Sequence, residues 1–242
     1  GTTICRNQNR RSLPLLGGGS GHMLQSIHVI IPFKAREGKS RLSSALKPAE
    51  RRLFAFAMLR DVLAAVFGQG RTTILSTQEF RAEELGIDVE ILQSELELND
   101  ALNSLISQEA DLDWPADILI VMADLPLLRE KEINGILSCQ GDVVLCPGRG
   151  GGTNMILIRS PKFRTCYHGL SFPEHMAYAR RACLNFSVFE SFRAGCDIDE
   201  PQDLAEVLLH SDGEAKNALE MMGFSLSESG RSIIERHYQK AI

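Results

Sequence analysis

Hydrophobic positions along this chain alternate between short apolar runs and stripes spaced three or four residues apart. Short runs bounded by turn residues are typical of buried strands, and they occur at "HVIIP", "TTILS", "VEIL", "ILIVMA", "DVVLC", "NMILI" and "FSVFE". The stripes predict helices over "PAERRLFAFAMLRDVLAAV", "LNDALNSLISQEA", "REKEINGIL" and "PEHMAYARRA". Strands that alternate with helices indicate βαβ units. The pattern therefore predicts an α/β protein, a three-layer α/β/α sandwich with a mostly parallel sheet.

The two ends of the chain depart from this alternation. Residues 1–22, which include "GGGSGH", predict a flexible N-terminal extension or an added linker, with Met23 as a candidate natural start. Residues 23–210 carry the alternating pattern and are expected to form one domain. Residues 211–242 show helical spacing at Ala215, Leu219 and Met222 before the polar run "SLSESGRS", which predicts a C-terminal helical tail.

The composition argues against some classes of binding partner. The 242 residues carry a formal charge of −5 with a pI near 5.7, which argues against a nucleic acid or an anionic membrane as the main partner. The apolar runs are too short to cross a membrane. The six cysteines include no CxxC pair, so we expect no zinc ribbon or disulfide framework and a reducing cytoplasm as the location.

Three aspartates follow predicted strands or extended segments. Asp124 ends the apolar run of "DILIVMADLPLL", so we expect it at the carboxyl edge of the sheet, where open α/β sheets bind ligands. In "GCDIDEPQDL", Asp197 and Asp199 should project to one side and Ile198 to the other, so that both carboxylates could share a hard cation. The alternative for Asp124 and for Asp199 is a helix cap, a role that would also permit ligation.

A basic loop follows the first strand of the predicted domain. Its "GKS" triplet resembles a P-loop, but position 33, where that motif needs glycine, is phenylalanine. Charge and arginine forks could still hold a polyphosphate, and the alternative is a solvated basic loop. The candidate phosphate-binding residues are Lys34, Arg36, Lys39 and Arg41.

Two further segments could bind an anion. The glycines of "CPGRGGGTNMILI" permit close approach of backbone N–H groups, and Thr153 adds a hydroxyl. The segment "YHGLSFPEHMAYA" places Gly169, Ser171 and His175 around a predicted helix start. The alternatives are a mobile glycine-rich connection for the first segment and a histidine that packs or caps for the second.

Guanine could be recognised by backbone groups or by the side chains of Asn99 and Asn103.

The motifs taken together resemble a known family. "IPFKAREGKSRLSSALKPAERRLFAFAMLRDVL", "LNDALN", "ILIVMADLPLL", "PGRGGGTNMILI", "YHGLSFPEH" and "AGCDIDEPQDL" are similar to the 2-phospho-L-lactate guanylyltransferases, in their archaeal form. That family belongs to the nucleotidyltransferases that share the GT-A-type sandwich with molybdopterin guanylyltransferase. The resemblance runs from about Ile27 to Leu209. It departs from the family in the N-terminal extension and in "AREGKSRL", where an alanine is expected before the lysine.

The resemblance implies a reaction and a set of residues. GTP would transfer its guanylyl group to 2-phospho-L-lactate, giving lactyl-2-diphospho-5′-guanosine and pyrophosphate in coenzyme F-420 biosynthesis, in a homodimer. The implied roles are as follows: Asp124, Lys39 and Arg41 as catalytic residues; Asp124, Asp197 and Asp199 as Mg²⁺ ligands; Lys34, Lys39, Arg41 and Asn99 for the nucleotide; Thr153, Gly169, Ser171 and His175 for the acceptor. Two alternatives remain, a related enzyme that uses phosphoenolpyruvate or 3-phosphoglycerate, and a nucleotide-binding module without turnover.

Overall fold

The fold is built on one large sheet, and the computed structural model describes residues 4–7, 26–34, 39–80, 83, 85–86, 88–112, 115–227 and 234–237. The strands are β1 (Ile4–Asn7), β2 (Ile27–Pro32), β3 (Arg71–Ser76), β4 (Glu90–Gln93), β5 (Asp117–Val121), β6 (Val143–Pro147), β7 (Thr153–Ile158), β8 (Phe186–Glu190), β9 (Phe224–Leu226) and β10 (Ile234–Arg236). The helices are α1 (Pro48–Val66), α2 (Leu98–Ala110), α3 (Glu130–Ser138), α4 (Ser171–Arg181), α5 (Leu204–His210) and α6 (Glu214–Met221). The strands and helices that the sequence predicts between residues 27 and 190 are confirmed.

The sheet has the order β1-β8-β6-β7-β5-β2-β3-β4. Neighbours pair in parallel except at β7, which runs antiparallel between β5 and β6, and at the edge strand β1, which runs antiparallel to β8. The predicted mostly parallel sheet is confirmed. Because β2 and β5 are parallel neighbours, the loops that follow them leave the sheet at the same edge. That edge therefore brings the basic loop next to Asp124.

Apolar side chains cover both faces of the sheet. Along β2, Val29 and Ile31 lie in one buried cluster with residues of α1 and α3, whereas Ile30 lies in another with residues of α2 and α4. Alternate residues of a strand point to opposite faces, so this division defines helix, sheet and helix layers. The predicted three-layer sandwich is confirmed. No helix within the described ranges combines the length and apolar character needed to cross a membrane.

Both ends of the chain contribute to the structure. Within residues 1–22, β1 pairs with β8, and the remainder of that segment lies outside the described residues. Within residues 211–242, the predicted helix is present as α6, followed by the antiparallel pair β9–β10. Ala215 and Leu219 are buried in a third cluster with Leu42 and Phe54. The C-terminal segment therefore packs on α1 and on the 3-10 helix Ser40–Ser44, which follows the basic loop.

Candidate active site

Lys39 forms the centre of the candidate site. Its Nζ lies 2.5 Å from Asp124 Oδ2 and 2.6 Å from Asp199 Oδ1. Burial disfavours its ammonium form, but the charges of Asp124 and Asp199 outweigh burial and raise the pKa of Lys39 above its usual value. Its backbone is left-handed, with φ 61° and ψ 40°, a conformation that a non-glycine residue rarely adopts without a compensating interaction. The double ion pair supplies that interaction.

The segment that carries Asp197 and Asp199 is fastened to the loop of Asp124. The Ile198 N–H donates to the Asp124 carbonyl at 3.1 Å, and the Ile198 side chain is fully buried in the third cluster. Asp197 Oδ1 accepts hydrogen bonds from Asn154 Nδ2 and from the Arg149 backbone, both at 3.3 Å. Burial, reinforced by the charge of Asp124, raises the pKa of Asp197.

The structure excludes the helix-cap alternatives for the aspartates. The cap of α3 is Arg129 and that helix begins at Glu130, so Asp124 does not cap it. The 3-10 helix Pro201–Asp203 is capped by Glu200, so Asp199 does not cap that helix. Both carboxylates instead face Lys39 at the carboxyl edge of the sheet.

The aspartates do not form a ready-made metal centre. In the part of the chain that the structure describes, no group of three or more His, Cys, Asp and Glu side chains is arranged to hold a metal ion. The ammonium of Lys39 instead contacts both Asp124 and Asp199. Asp124 Oδ1 is nevertheless buried without a hydrogen-bond partner, and carboxylate oxygens are the ligands that Mg²⁺ prefers. The free Asp124 oxygen is therefore suited to a divalent cation, whereas both Asp199 oxygens already contact Lys39 and Arg41.

Other cations of the basic loop lie around this centre. Arg41 Nη1 lies 3.4 Å from Asp199 Oδ2, and the Arg41 side chain is 69% exposed. Lys34 is exposed and lines a cavity of about 200 Å³ together with Lys39 and Asp124. Most of the other residues that line the cavity are apolar, namely Pro32, Phe33, Ala55, Met58, Leu75, Leu98, Ala101, Met122 and Ala123. Arg36 lies outside the described residues. An apolar cavity with charges at one side suits a nucleotide, whose base is flat and whose phosphates are anionic.

Thr153, Ser171 and His175 form a closed polar cluster. The Cys166 N–H donates to His175 Nε2 at 2.8 Å, so the proton of the neutral ring lies on Nδ1, which donates to Thr153 Oγ1 at 2.8 Å. Ser171 Oγ donates to the same Thr153 oxygen at 3.2 Å. Burial lowers the pKa of His175 to about 4. The structure therefore favours the packing alternative for His175, with Thr153 and Ser171 fixed beside it.

Two glycines shape the backbone near this cluster. Gly169 has φ 52°, and the position of a Cβ there meets no other atom within 4 Å. At Gly148 a Cβ would lie 2.4 Å from Asn154 Oδ1 and 3.0 Å from Asp197 Oδ1. Only glycine allows the loop to pass so close to these side chains. The Phe172 N–H donates to the Gly151 carbonyl at 3.1 Å, which joins the glycine-rich loop to the start of α4.

The asparagines of α2 fasten the loop between β7 and α4. Asn99 Oδ1 accepts from the Tyr167 N–H at 2.7 Å, and its Nδ2 lies 2.9 Å from His168 Nε2. Asn103 Oδ1 accepts from the Thr165 N–H at 2.8 Å. These contacts favour positioning roles for both asparagines, and guanine recognition by Asn99 stays a prediction.

Sequence reasoning missed Asn154 and Tyr167. A polar residue inside the buried run "TNMILI" was a usable signal for Asn154, which is 4% exposed and bonds to Asp197. No sequence signal separates Tyr167 from an ordinary packing aromatic. Its hydroxyl is buried and lacks a hydrogen-bond partner.

The fold resembles that of solved nucleotide-dependent transferases. A solved structure described as a nucleotide-diphospho-sugar transferase, from Desulfovibrio desulfuricans G20, matches with a TM-score of 0.66 at 15% identity, covering 82% of this chain and 95% of the other. A nucleotidyl transferase from Methanothermobacter matches with a TM-score of 0.56 at 16% identity, covering 81% and 99%. These similarities concern the fold.

Sequence comparison gives the family. The family model "Guanylyl transferase CofC like" matches residues 27–240, and this chain belongs to that family of nucleotidyltransferase enzymes. The 2-phospho-L-lactate guanylyltransferase of Methanothrix thermoacetophila is 49% identical over 216 residues, covering 88% of this chain and 98% of the relative. The enzyme of the same name from Methanoregula boonei is 43% identical over 217 residues, covering 88% and 97%.

Proposed function

We propose that this protein transfers the guanylyl group of GTP to 2-phospho-L-lactate, giving lactyl-2-diphospho-5′-guanosine and pyrophosphate in coenzyme F-420 biosynthesis. Relatives that carry the name of this activity cover most of the chain. The observation that carries the proposal is the contact of one lysine with two aspartates, Lys39 with Asp124 and Asp199, beside an apolar cavity at the carboxyl edge of the sheet.

The chemistry needs positive charge more than it needs a base. A phosphomonoester has a second pKa of about 6, so the attacking phosphate oxygen is largely ionised at neutral pH. The protein must hold two anionic substrates together and stabilise charge on the leaving pyrophosphate. In this proposal Lys39 and Arg41 contact the triphosphate, Lys34 adds charge at the cavity, and the apolar lining receives the base.

The aspartates would hold Mg²⁺. Asp124, Asp197 and Asp199 supply hard oxygen ligands, and the ion would neutralise phosphate charge when bound. The unpaired, buried Asp124 Oδ1 supports this assignment. Asp197 and Asp199 are oriented by the buried Ile198 between them.

The acceptor would lie against the loops of β7 and α4. We assign its anionic groups to Thr153, Gly169 and Ser171: the position of a Cβ at Gly169 is open, and the Thr153 hydroxyl, which accepts from Ser171 and His175, keeps its own proton to donate. His175 is then a positioning residue, since its ring nitrogens already bond within the protein. A homodimer in a reducing cytoplasm completes the proposal, and sedimentation of the purified protein tests the dimer.

The decisive experiment combines purified protein, Mg²⁺, GTP and 2-phospho-L-lactate. Mass spectrometry should find the diphosphodiester together with pyrophosphate. Parallel reactions with phosphoenolpyruvate and 3-phosphoglycerate compare the acceptors, and a clear preference for either would replace 2-phospho-L-lactate in the proposal. Thermal stabilisation by GTP with no pyrophosphate from any acceptor would indicate a binding module instead.

A further inference from the structure

Unpaired buried oxygens single out Tyr167. Across the described residues, the buried side-chain N and O atoms without a hydrogen-bond partner are Asp124 Oδ1, Glu132 Oε2 and the Tyr167 hydroxyl. Glu132 lies on α3, whereas the Tyr167 ring packs against His175, which bonds to Thr153. Tyr167 lies in the loop between β7 and α4, two residues before Gly169. Polar groups buried without a partner are rare in folded proteins, and each calls for an explanation.

The position of the Tyr167 ring is fixed by its neighbours. The ring packs edge-on against the His175 imidazole, with centroids 5.0 Å apart and an interplanar angle of 78°. The Tyr167 N–H donates to Asn99 Oδ1 at 2.7 Å, and His175 accepts from the preceding Cys166 N–H. The ring contact and the backbone hydrogen bond hold Tyr167 in place, with its hydroxyl buried. The hydroxyl is therefore held on a ring that packs against the cluster of Thr153, Ser171 and His175.

The Tyr167 phenol is available as a hydrogen-bond donor. Burial, together with the negative charge of Asp124, raises the pKa of the Tyr167 phenol, so the phenol keeps its proton at neutral pH. It does not hydrogen-bond to Asp124, since both Asp124 Oδ1 and the phenol oxygen lack partners. A fixed, buried donor without a partner in the protein is suited to a ligand group that can accept its hydrogen bond.

We propose that the Tyr167 hydroxyl binds the acceptor, donating a hydrogen bond to an anionic oxygen of the small phosphorylated acid. This inference rests on the proposed function. The acceptor is favoured over GTP because Tyr167 is close in sequence to Gly169 and Ser171 and does not line the cavity assigned to the base. A ligand without an oxygen at this point would leave the phenol unpaired, so Tyr167 also contributes specificity.

The test is Tyr167→Phe, which removes one oxygen atom. Loss of a hydrogen bond to a charged group should raise KM for 2-phospho-L-lactate about tenfold or more, while KM for GTP stays within about twofold. The free variant should melt at the same temperature or higher, because the lost hydroxyl has no partner in the protein. The matched control is Tyr178→Phe, whose hydroxyl donates to the Lys162 carbonyl at 3.2 Å, and it should leave both KM values unchanged.

Each outcome decides the assignment of Tyr167. A lower melting temperature with an unchanged acceptor KM would make the hydroxyl structural and overturn the inference, while product formation by the wild type would still support the proposed function. If the wild type forms no product with any acceptor, the proposed function fails. Calorimetric titration of both proteins with 2-phospho-L-lactate then decides the inference, since weaker binding by the variant supports it and no difference overturns it.

Discussion

Buried polar groups lie at both edges of the sheet, but the two edges differ in whether these groups have hydrogen-bond partners. At the amino edge His28 contacts Glu109 Oε2 at 3.0 Å and Thr73 Oγ1 at 2.9 Å, while Glu109 Oε1 accepts from the Ala116 N–H at 3.0 Å. At the carboxyl edge Asp124 and Tyr167 each keep an unpaired buried oxygen. A network whose members bond to one another stabilises the fold, whereas unpaired groups are suited to a ligand. Mutations at the amino edge should therefore mainly lower stability, whereas mutations at the carboxyl edge should mainly lower activity.

The largest expected effect is on turnover at the carboxyl edge. Asp124→Asn should reduce pyrophosphate release by about 1,000-fold, a loss typical of removing one main electrostatic contributor. The fold should remain intact, because an asparagine of the same size can still accept a hydrogen bond from Lys39, and Lys39 keeps its ion pair with Asp199. A coupled pyrophosphate assay and thermal melting measure the two effects. Asp111→Asn, at an exposed position, is the control, and near wild-type turnover of Asp124→Asn would remove Asp124 from the mechanism.

The carboxyl edge also shows how much of the candidate site could be predicted from the sequence. Asp124 was predictable because it directly follows a buried apolar run, and the strand pattern predicted the layers. The pairing of Lys39 with Asp124 and Asp199 was not predictable, because it joins residues that are 85 and 160 positions apart in the chain. The unpaired hydroxyl of Tyr167 depends on tertiary packing in the same way.

The sequence predicted β7 as a strand but did not predict its antiparallel direction. The predicted strands "DVVLC" and "NMILI" flank a glycine-rich loop, but periodicity does not tell which neighbours a strand will pair with. In the structure β7 inserts between β6 and β5. That insertion places Thr153 and Asn154 at the site.

The second expected effect is a loss of stability as the pH falls, and it comes from the closed cluster around His175. The folded pKa of about 4 lies below the usual 6.5, so the unfolded chain binds more protons between these values. Stability from this group is complete above about pH 6.5 and falls as the pH drops toward 4, by on the order of 3 kcal/mol. Burial also lowers the pKa of His28, which adds a loss of the same sign.

Urea unfolding of the wild type and of His175→Gln at a series of pH values measures this dependence. The variant should be less stable near neutral pH but should lose less stability on acidification. Equal pH dependence of the two proteins would show that His175 does not titrate in this window. His28→Gln provides the corresponding variant at the amino edge.

The third effect is a loss of stability without a loss of activity. Glu109→Gln keeps the shape of the side chain but removes the charge that faces His28 and Arg71, and it should lower the free energy of unfolding by about 1–3 kcal/mol. Glu220→Gln, at an exposed position on α6, is the control. Both KM values should stay unchanged, and altered substrate KM values in Glu109→Gln would contradict the division between the edges.

The smallest expected effect is a change in the response to Mg²⁺. In the wild type the Lys39 ammonium already neutralises Asp124 and Asp199, so a cation that binds these carboxylates must compete with it. Lys39→Met keeps the length of the side chain and removes this competition. Mg²⁺ without nucleotide should then raise the melting temperature of the variant by about 2–4 °C more than that of the wild type, which corresponds to roughly 1 kcal/mol for a chain of this size. Lys131→Met, at an exposed position on α3, should respond like the wild type. An equal response of all three proteins would show that Lys39 and the metal do not share these two carboxylates.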